Sequence, residues 1–480
     1  MQKLIFIFVL AALVSGCTSR PGAESALQKM GDEMAKGNFS RVFLMADSLN
    51  AVFPDDQVLA GQLDSIRDYA RRVGLDFSLS ESEIEEKLEQ VFPSFTAEEK
   101  QKWEDLNWLE FRMIDGEKRY FKRAAGNLKR ILEHEALQRD SARQEIPDEF
   151  GRFKMDHAGE VIRLTQDGSS PVLPVQMKLR YTLTVKADQV PPGEIIRCWM
   201  PWPHESHSRQ HDIRLIGTFP AEHEVAPDSV SQRSVYMEQK AEEGRPTLFR
   251  LEFNYRSSAQ YFDPDLLRGS TQQKDSRIYA IHTREQKPHI LFTAKIRELS
   301  DQIVGKEKEP FQIVKKIFYW IDENIPWAGA LEYGIIPDIP GYVIDNRRGD
   351  CGMKTLLFMT LARYNGIPVK WQSGWMMHPG QVNLHDWCEI WFDGVGWAPL
   401  DMSFGRMPSP DSRIRDFYMT GIDSWRLIVN DDIGTPLAPA KKFPRSEPND
   451  FQRGEVEWRG GNLYFDKWDY DMEVEYEPAE

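Results

Sequence analysis

The sequence predicts a multidomain α+β protein with an N-terminal helical module, an antiparallel β-sandwich, an α+β core and a C-terminal β extension packed on that core. Two observations predict this class. The spacing of apolar residues changes along the chain from a helical period to strict alternation and then to a mixture of both. The chain has 480 residues, of which 41% are hydrophobic, so it is large enough to form several cores.

The chain begins with features of an export signal. Lys3 precedes a short apolar run from Leu4 to Leu13, far below the ~20 residues that a membrane-spanning helix needs. Small residues then precede Cys17, and this stretch resembles the lipobox of bacterial lipoproteins. The resemblance implies removal of residues 1–16, lipidation of Cys17 and a short tether over residues 17–22. The alternative is an ordinary signal peptide that ends near a cysteine.

These features predict an exported protein that is lipid-anchored at the bacterial cell envelope, in the periplasm or on the outer surface. Lipid chains hold a protein at a membrane without spanning it. The formal net charge of -15 argues against nucleic acid as a partner, because phosphate binding needs clustered Lys and Arg. The membrane is therefore expected as a partner through the anchor alone.

Residues 23–145 are predicted to form a helical domain. Two apolar stripes at helical spacing are separated by Pro54-Asp55-Asp56, which resembles one helical hairpin of the tetratricopeptide kind. A structural or docking role is expected for this domain. Residues 146–173 are polar and contain Pro147, Gly168 and Pro171, so they are predicted to be a linker.

Alternation of apolar and polar residues begins at Met177 and continues to Val185, which predicts a half-buried strand. Similar segments follow, and residues 174–275 are predicted to form a β-sandwich domain. Helical spacing returns after His289, and residues 285–410 are predicted to form the α+β core. Residues 411–480 are rich in aromatic and acidic residues and are expected to pack on this core as an extension.

Cysteine usage predicts neither a disulfide framework nor a zinc site. If Cys17 is lipidated, an odd number of cysteines remains, and none has CxxC spacing. We expect no metal and no cofactor. A metal site built from His385, Asp386, Glu389 and Asp401 is excluded by strand alternation, because Asp386 points away from the others.

Cys351 is predicted to begin a helix. Asp350 is a good N-cap, apolar residues follow at helical spacing, and Asn365-Gly366 ends the segment. The helix dipole in the first turn would favour the thiolate, and the Cys351 N–H would point toward an oxyanion. The alternative is a small apolar cysteine buried in a helix.

His385 and Asp401 are predicted to face each other across a hairpin centred on Asp393. Residues from Asn383 to Phe392 alternate, Asp393-Gly394-Val395-Gly396 is a turn signal, and a strand returns to Asp401. Directly opposed Cβ atoms lie about 4.5–5.5 Å apart, within reach of a His–carboxylate hydrogen bond. A bulge could shift this register. A thiol, an imidazole and a carboxylate are the parts of a nucleophile, its base and the group that orients the base.

The stretch from about Phe311 to Phe404 resembles the transglutaminase-like superfamily, which has a papain-like fold. The resemblance is carried by four blocks in order: Gly349-Asp350-Cys351-Gly352, Asn365-Gly366-Ile367-Pro368-Val369, His385-x-Trp387-x-Glu389 and Gly394-x-Gly396-Trp397-x-x-x-Asp401. It implies a papain-like catalytic core with Cys351 as the nucleophile, His385 as the general base and Asp401 as the orienting acid. The β-domain and the Ile422-to-Arg426 block also resemble those of bacterial multidomain members.

Two positions depart from this family. Many relatives have alanine after the histidine and an aliphatic residue before the glutamate, where this chain has Asp386 and Cys388. We expect both side chains to point away from the catalytic face, leaving the triad intact, although Asp386 could shift the local field.

Several further residues are weaker site candidates. Trp327 stands where relatives often carry an aromatic residue, and it is a candidate second oxyanion donor. Most of the tryptophans near the triad are expected in the core, while Trp375 and Trp387 are candidates for substrate contact. His378, in a predicted loop, is a candidate rim residue.

The predicted reaction is acyl transfer from a peptide or isopeptide amide to the thiol of Cys351, with a thioester intermediate. Water as the acceptor makes the protein a cysteine peptidase or amidase, and an amine makes it a protein-glutamine transglutaminase. We favour hydrolysis of a peptide or protein substrate, for which location suggests a peptidoglycan stem peptide or a glycopeptide. The alternative from another class is a catalytically inactive envelope binding scaffold.

Overall fold

A computed structural model describes residues 21–139 and 147–476, and confirms the multidomain α+β class. Cys17 and the predicted signal lie outside the described residues. The described chain divides into two compact units. The first comprises residues up to 139 together with residues 326–349, and the second comprises residues 147–325 and 350–476.

The helices begin and end at the following residues. In chain order they are α1 (Pro21–Ala35), α2 (Phe39–Val52), α3 (Gln57–Asp76), α4 (Glu81–Val91), α5 (Ala97–Asp105), α6 (Ala124–Arg139), α7 (Glu149–Leu164), α8 (Pro264–Leu267), α9 (Arg277–His282), α10 (Ala294–Ile303), α11 (Pro310–Asn324), α12 (Ile339–Asn346), α13 (Cys351–Tyr364), α14 (Ser412–Arg415) and α15 (Phe417–Thr420). Short 3-10 turns cover Tyr333–Ile335 and Phe465–Lys467.

The strands are numbered in the same way. They are β1 (Phe111–Ile114), β2 (Glu117–Tyr120), β3 (Val172–Val185), β4 (Ile195–Pro201), β5 (Gln210–Phe219), β6 (Glu224–Val225), β7 (Ser234–Lys240), β8 (Thr247–Tyr261), β9 (Val369–His378), β10 (Gln381–Phe392), β11 (Gly396–Leu400), β12 (Gly421–Ile422), β13 (Arg426–Asn430), β14 (Glu455–Trp458), β15 (Gly461–Leu463) and β16 (Trp468–Tyr476).

The first unit contains the predicted helical domain and one segment that the sequence assigned to the core. Helices α4 and α5 begin with complete capping boxes, at Ser80 and Thr96, which fix their starts. The Asn127 side chain of α6 bonds the backbone of Gly329 twice, at 2.8 Å each. Arg348, which is buried, pairs with Glu110 at 2.8 Å. These contacts hold residues 326–349 to the first unit, which was not predicted.

The second unit contains three antiparallel sheets. Their strand orders are β11-β10-β9-β13, β12-β8-β3-β16 with β5 also on β8, and β15-β14-β4-β7-β6. The last two contain the strands of the predicted sandwich, and residues of all three sheets share one large apolar core that includes Tyr181, Trp199 and Trp375. The C-terminal residues supply strands to all three sheets, and β16 pairs with β3 from Trp468 to Tyr476.

The predicted linker instead contains helix α7. Asp148 caps it by accepting from the Gly151 N–H at 2.7 Å. Phe150, Phe153 and His157 lie on one face at helical spacing and contact aromatic residues of the second unit. Charged residues between these aromatic ones make the segment polar in composition, which is why it was predicted to be a linker.

None of the helices within residues 21–139 and 147–476 is both long and apolar enough to cross a membrane.

Candidate active site

Cys351 is the first residue of α13, as the sequence predicts. Asp350 caps the helix through its Oδ1, which accepts from the Met353 N–H at 3.1 Å. Almost every later residue of α13 is buried, and the helix ends before Gly366, whose φ of 77° favours glycine. The rigid, buried body of α13 therefore fixes the thiol at its partly exposed N-terminal end.

His385 and Asp401 are joined by a 2.7 Å contact between Nε2 and Oδ2. The predicted hairpin register was wrong by two residues, because the pairs Cys388–Leu400 and Phe392–Gly396 centre the turn on Gly394. The connection consists of the three residues from Asp393 to Val395. A shift of two residues preserves the face to which each side chain points, so the two groups still meet.

The protonation states of His385 and Asp401 are those that a general base and its orienting carboxylate need. Burial is the main cause that lowers the pKa of His385, although Asp401 opposes it. Burial would raise the pKa of Asp401, but His385 and Arg426 outweigh it and hold that pKa below its usual range. A neutral imidazole that donates from Nε2 to the carboxylate has Nδ1 as its basic nitrogen.

Arg426 is a further member of this buried network. Its Nη1 lies 2.8 Å from Asp401 Oδ2, and its Nη2 lies 2.7 Å from Asp423 Oδ2. The sequence pointed to the Ile422-to-Arg426 block only through its resemblance to relatives. The pair of opposite charges Asp423 and Arg426, three residues apart in a largely apolar stretch, is the signal that could have found it.

Asp386 contacts the thiol, which corrects the expectation that it points away from the catalytic face. The Cys351 Sγ donates to Asp386 Oδ2 at 3.4 Å. Alternation along β10 does separate Asp386 from His385, but the start of α13 lies on the side of the Asp386 carboxylate. The Asp386 backbone also hydrogen bonds the sulfur, and no hydrogen bond between the thiol and His385 is found among the described residues.

The thiol pKa also differs from expectation. Burial raises the pKa of Cys351, and the carboxylates of Asp386 and Asp350 raise it further. The sequence predicted the opposite direction, because the N-terminus of a helix favours a thiolate. Cys388, the other departure from the family, is buried, with Sγ 3.7 Å from the Leu400 oxygen.

Gln452 hydrogen bonds both His385 and Asp386, and nothing in the sequence indicated this role. Its Nε2 donates to Asp386 Oδ1 and to the His385 backbone oxygen, at 2.8 Å each. It lies in the irregular segment before β14, where no sequence period marks it.

Three weaker candidates prove to be interior residues. Trp375 is fully buried and donates from Nε1 to the Gln452 oxygen at 2.9 Å. Trp387 is fully buried and donates from Nε1 to Gln372 Oε1 at 2.7 Å. His378 ends β9 rather than lying in a loop, and its Nε2 is 3.1 Å from Asp423 Oδ1. Burial therefore contradicts a substrate-contact role for the two tryptophans and a rim position for His378.

Trp327 belongs to the first unit, where it is 38% exposed. The Arg130 guanidinium lies 4.5 Å from its ring centroid, and its backbone forms a bridge with Gly349. Its role as an oxyanion donor stays a prediction. Within the described residues, no group of three or more His, Cys, Asp or Glu side chains could hold a metal ion.

The segment that contains these residues matches a known protein family. Residues 297–402 match the transglutaminase-like superfamily, and this stretch contains Cys351, His385, Asp386 and Asp401. They form a transglutaminase-like domain. The resemblance inferred from the sequence blocks is thereby confirmed.

Solved structures that are similar to this chain include the following two. One, described as a candidate cysteine protease from Cytophaga hutchinsonii, is 16% identical, with a TM-score of 0.44 over 64% of this chain and 92% of that one. The other is the periplasmic domain of TgpA from Pseudomonas aeruginosa, 13% identical, with a TM-score of 0.24 over 55% of this chain and 96% of that one. No curated protein matches the chain.

Proposed function

We propose that this chain is a cell-envelope-tethered cysteine hydrolase that cleaves peptide or isopeptide amides through a thioester intermediate. The observation that carries the proposal is the buried His385–Asp401 pair, with its 2.7 Å contact, inside a transglutaminase-like domain. A neutral imidazole oriented by a carboxylate is the base that a cysteine nucleophile requires.

In the proposed reaction, His385 Nδ1 takes the proton of the Cys351 thiol and the sulfur attacks the amide carbonyl. A C–S bond forms, and the C–N bond breaks as His385 returns the proton to the leaving amine. Water then attacks the thioester while His385 accepts its proton, and the C–S bond breaks to release the acid and the thiol. Asp401 stabilises the imidazolium in both halves of the cycle.

A binding scaffold is the second candidate, and one observation favours it. The Cys351 thiol is hydrogen bonded to Asp386, and burial and nearby carboxylates raise its pKa. A thiol held in this way is unreactive until it leaves that partner. The two candidates therefore differ in whether Cys351 reacts with an acyl group.

For location we propose a lipid anchor at Cys17, supported by the apolar run and small residues before it. The substrate class that fits this location is a peptidoglycan stem peptide or a glycopeptide. Expression with a labelled fatty acid, comparing wild type with Cys17→Ser, tests the anchor. Label in the wild-type chain alone supports it, and equal label in both variants contradicts it.

The activity is tested with quenched fluorescent peptides and isolated stem peptides. We expect cleavage by wild type and by Cys198→Ala, whose thiol is buried in the sandwich core, and loss of cleavage in Cys351→Ala and His385→Ala. An added primary amine distinguishes the acceptors, because a free carboxylate product shows hydrolysis and a new amide shows transglutaminase activity. Cleavage that persists in Cys351→Ala overturns the proposal, and inertness of wild type to both substrate sets favours the scaffold.

A further inference from the structure

The thiol of Cys351 and the carboxylate of Asp386 form a pair that the triad chemistry does not use. Sγ donates to Asp386 Oδ2 at 3.4 Å, and the Asp386 residue is only 2% exposed. The carboxylate is held from its other side, because Oδ1 accepts from Gln452 Nε2 at 2.8 Å. With one oxygen anchored, the other is directed at the nucleophilic atom.

The surroundings of this pair are acidic. Three further carboxylates raise the pKa of Asp386 through their charge: Asp450 and Glu447 from the segment before β14, and Asp350 from the start of α13. Two cations belong to these surroundings: Arg453, whose Nε lies 2.6 Å from Glu447 Oε1, and the buried Lys354 of α13, which interacts electrostatically with Cys351. Glu447 thus has a partner of opposite charge, whereas the carboxylate of Asp386 is bonded to an amide and a thiol.

This charge distribution disfavours negative charge on either partner. Burial raises the pKa of Asp386, and the neighbouring Asp450 and Asp350 add to the effect. Burial and Glu447 raise the pKa of Asp450 to about 8. A thiolate at Cys351 would place negative charge in the same buried pocket, and both its desolvation and the acidic neighbours make that charge unfavourable.

We propose that Asp386 is a positioning residue that holds the Cys351 thiol protonated in the resting protein and so sets the pH at which this nucleophile becomes reactive. The inference rests on the proposed function, in which Cys351 is the nucleophile. In the resting pair the proton stays on sulfur. Reaction requires the S–H···O bond to break and the proton to move from Sγ to His385 Nδ1, giving a thiolate and an imidazolium while Asp386 keeps its own protonation state.

The test is the rate of Cys351 alkylation by iodoacetamide between pH 5.5 and 10, read by peptide-mapping mass spectrometry. In Asp386→Asn, which keeps the shape of the side chain, we expect the midpoint of the rate profile to move to lower pH. At pH 7 we expect alkylation about tenfold faster, because below the pKa the thiolate fraction rises about tenfold for each unit by which the pKa falls. Asp386→Ala should shift the midpoint in the same direction.

The shape of the profile separates electrostatics from loosened packing. A merely structural change would raise the alkaline plateau and leave the midpoint in place, whereas the proposal predicts a moved midpoint. Thiolate absorbance, taken as the difference from Cys351→Ala, gives the same midpoint without a reagent. Asp393→Asn is the matched control, since that turn carboxylate accepts from Trp391 Nε1 rather than from the thiol.

The proposal is overturned if the midpoint in Asp386→Asn equals that of wild type, or if Asp393→Asn moves it equally. Because alkylation needs no substrate, the result is independent of amide turnover. A shifted midpoint in a protein that cleaves nothing would leave the role of Asp386 standing and remove the proposed function. An unshifted midpoint in an active enzyme would remove the role of Asp386 and leave the proposed function standing.

Discussion

The imidazole of His385 bonds the carboxylate of Asp401 diagonally across the β10–β11 hairpin, at 2.7 Å from Nε2 to Oδ2. The last paired residues are Cys388 and Leu400, so Asp401 lies one step beyond β11 and His385 three steps before Cys388 on β10. Diagonal neighbours on one face of a sheet remain within reach of long or aromatic side chains. The hydrogen bond therefore requires that His385 and Asp401 lie on the same face of the sheet, but not that they lie directly opposite each other.

Replacing Asp401 by Asn should remove most of the activity. The amide carries no charge to stabilise the imidazolium, and the expected loss in kcat is about 100-fold or more. The measurement is kcat/KM for a peptide amide substrate across pH, with Asp393→Asn as the control that keeps wild-type rates. A kcat within about threefold of wild type would show that His385 acts without Asp401.

Removing Arg426 should destabilise the second unit. Its guanidinium is fully buried between Asp401 and Asp423, and Arg426→Met would leave both buried carboxylates without this partner. The expected loss in the free energy of unfolding is about 3–5 kcal/mol. Urea denaturation measures it, and Arg413→Met, at an exposed arginine, should change it by no more than about 0.5 kcal/mol. Equal effects of the two substitutions would contradict the buried network.

Trp375 should act as a core residue rather than as a wall of the substrate cleft. Its ring is buried in the large apolar core shared by the three sheets, so Trp375→Ala should lower the free energy of unfolding by about 3–5 kcal/mol. Trp327→Ala, at a ring that is 38% exposed, should cost much less. Both are read by urea denaturation. Unchanged stability with a raised KM in Trp375→Ala would restore the substrate-contact interpretation.

Sequence periodicity predicted the features that depend on local structure, namely the start of a helix and the face of a strand. The N-cap at Asp350 and the alternation along β10 were enough to place Cys351 at a helix start and His385 on the same face as Asp401. The exact pairing was not predictable, because Asp393-Gly394-Val395-Gly396 contains two glycines and allows the turn to centre on Asp393, as expected, or on Gly394, as observed. Since the error was two residues, it preserved the face of each side chain.

Long-range contacts were not predictable from one sequence. Alternation separates Asp386 from His385, but it does not say against which face of β10 the start of α13 lies. The Gln452 bonds join positions 66 and 67 residues apart, with no repeat or period to indicate them. Helix α7 was missed because Pro147, Gly168 and Pro171 around it indicated a linker, and because charged residues are interspersed with its apolar ones.

The proposed mechanism requires the Cys351 sulfur to carry the acyl group of the substrate. The most direct measurement is acid quenching of the protein during turnover of a peptide amide, followed by peptide mapping for a hydroxylamine-labile acyl adduct. We predict an adduct on Cys351 in wild type, its loss in Cys351→Ala together with turnover, and none on Cys198 or Cys388. Amide cleavage that continues in Cys351→Ala would contradict the account.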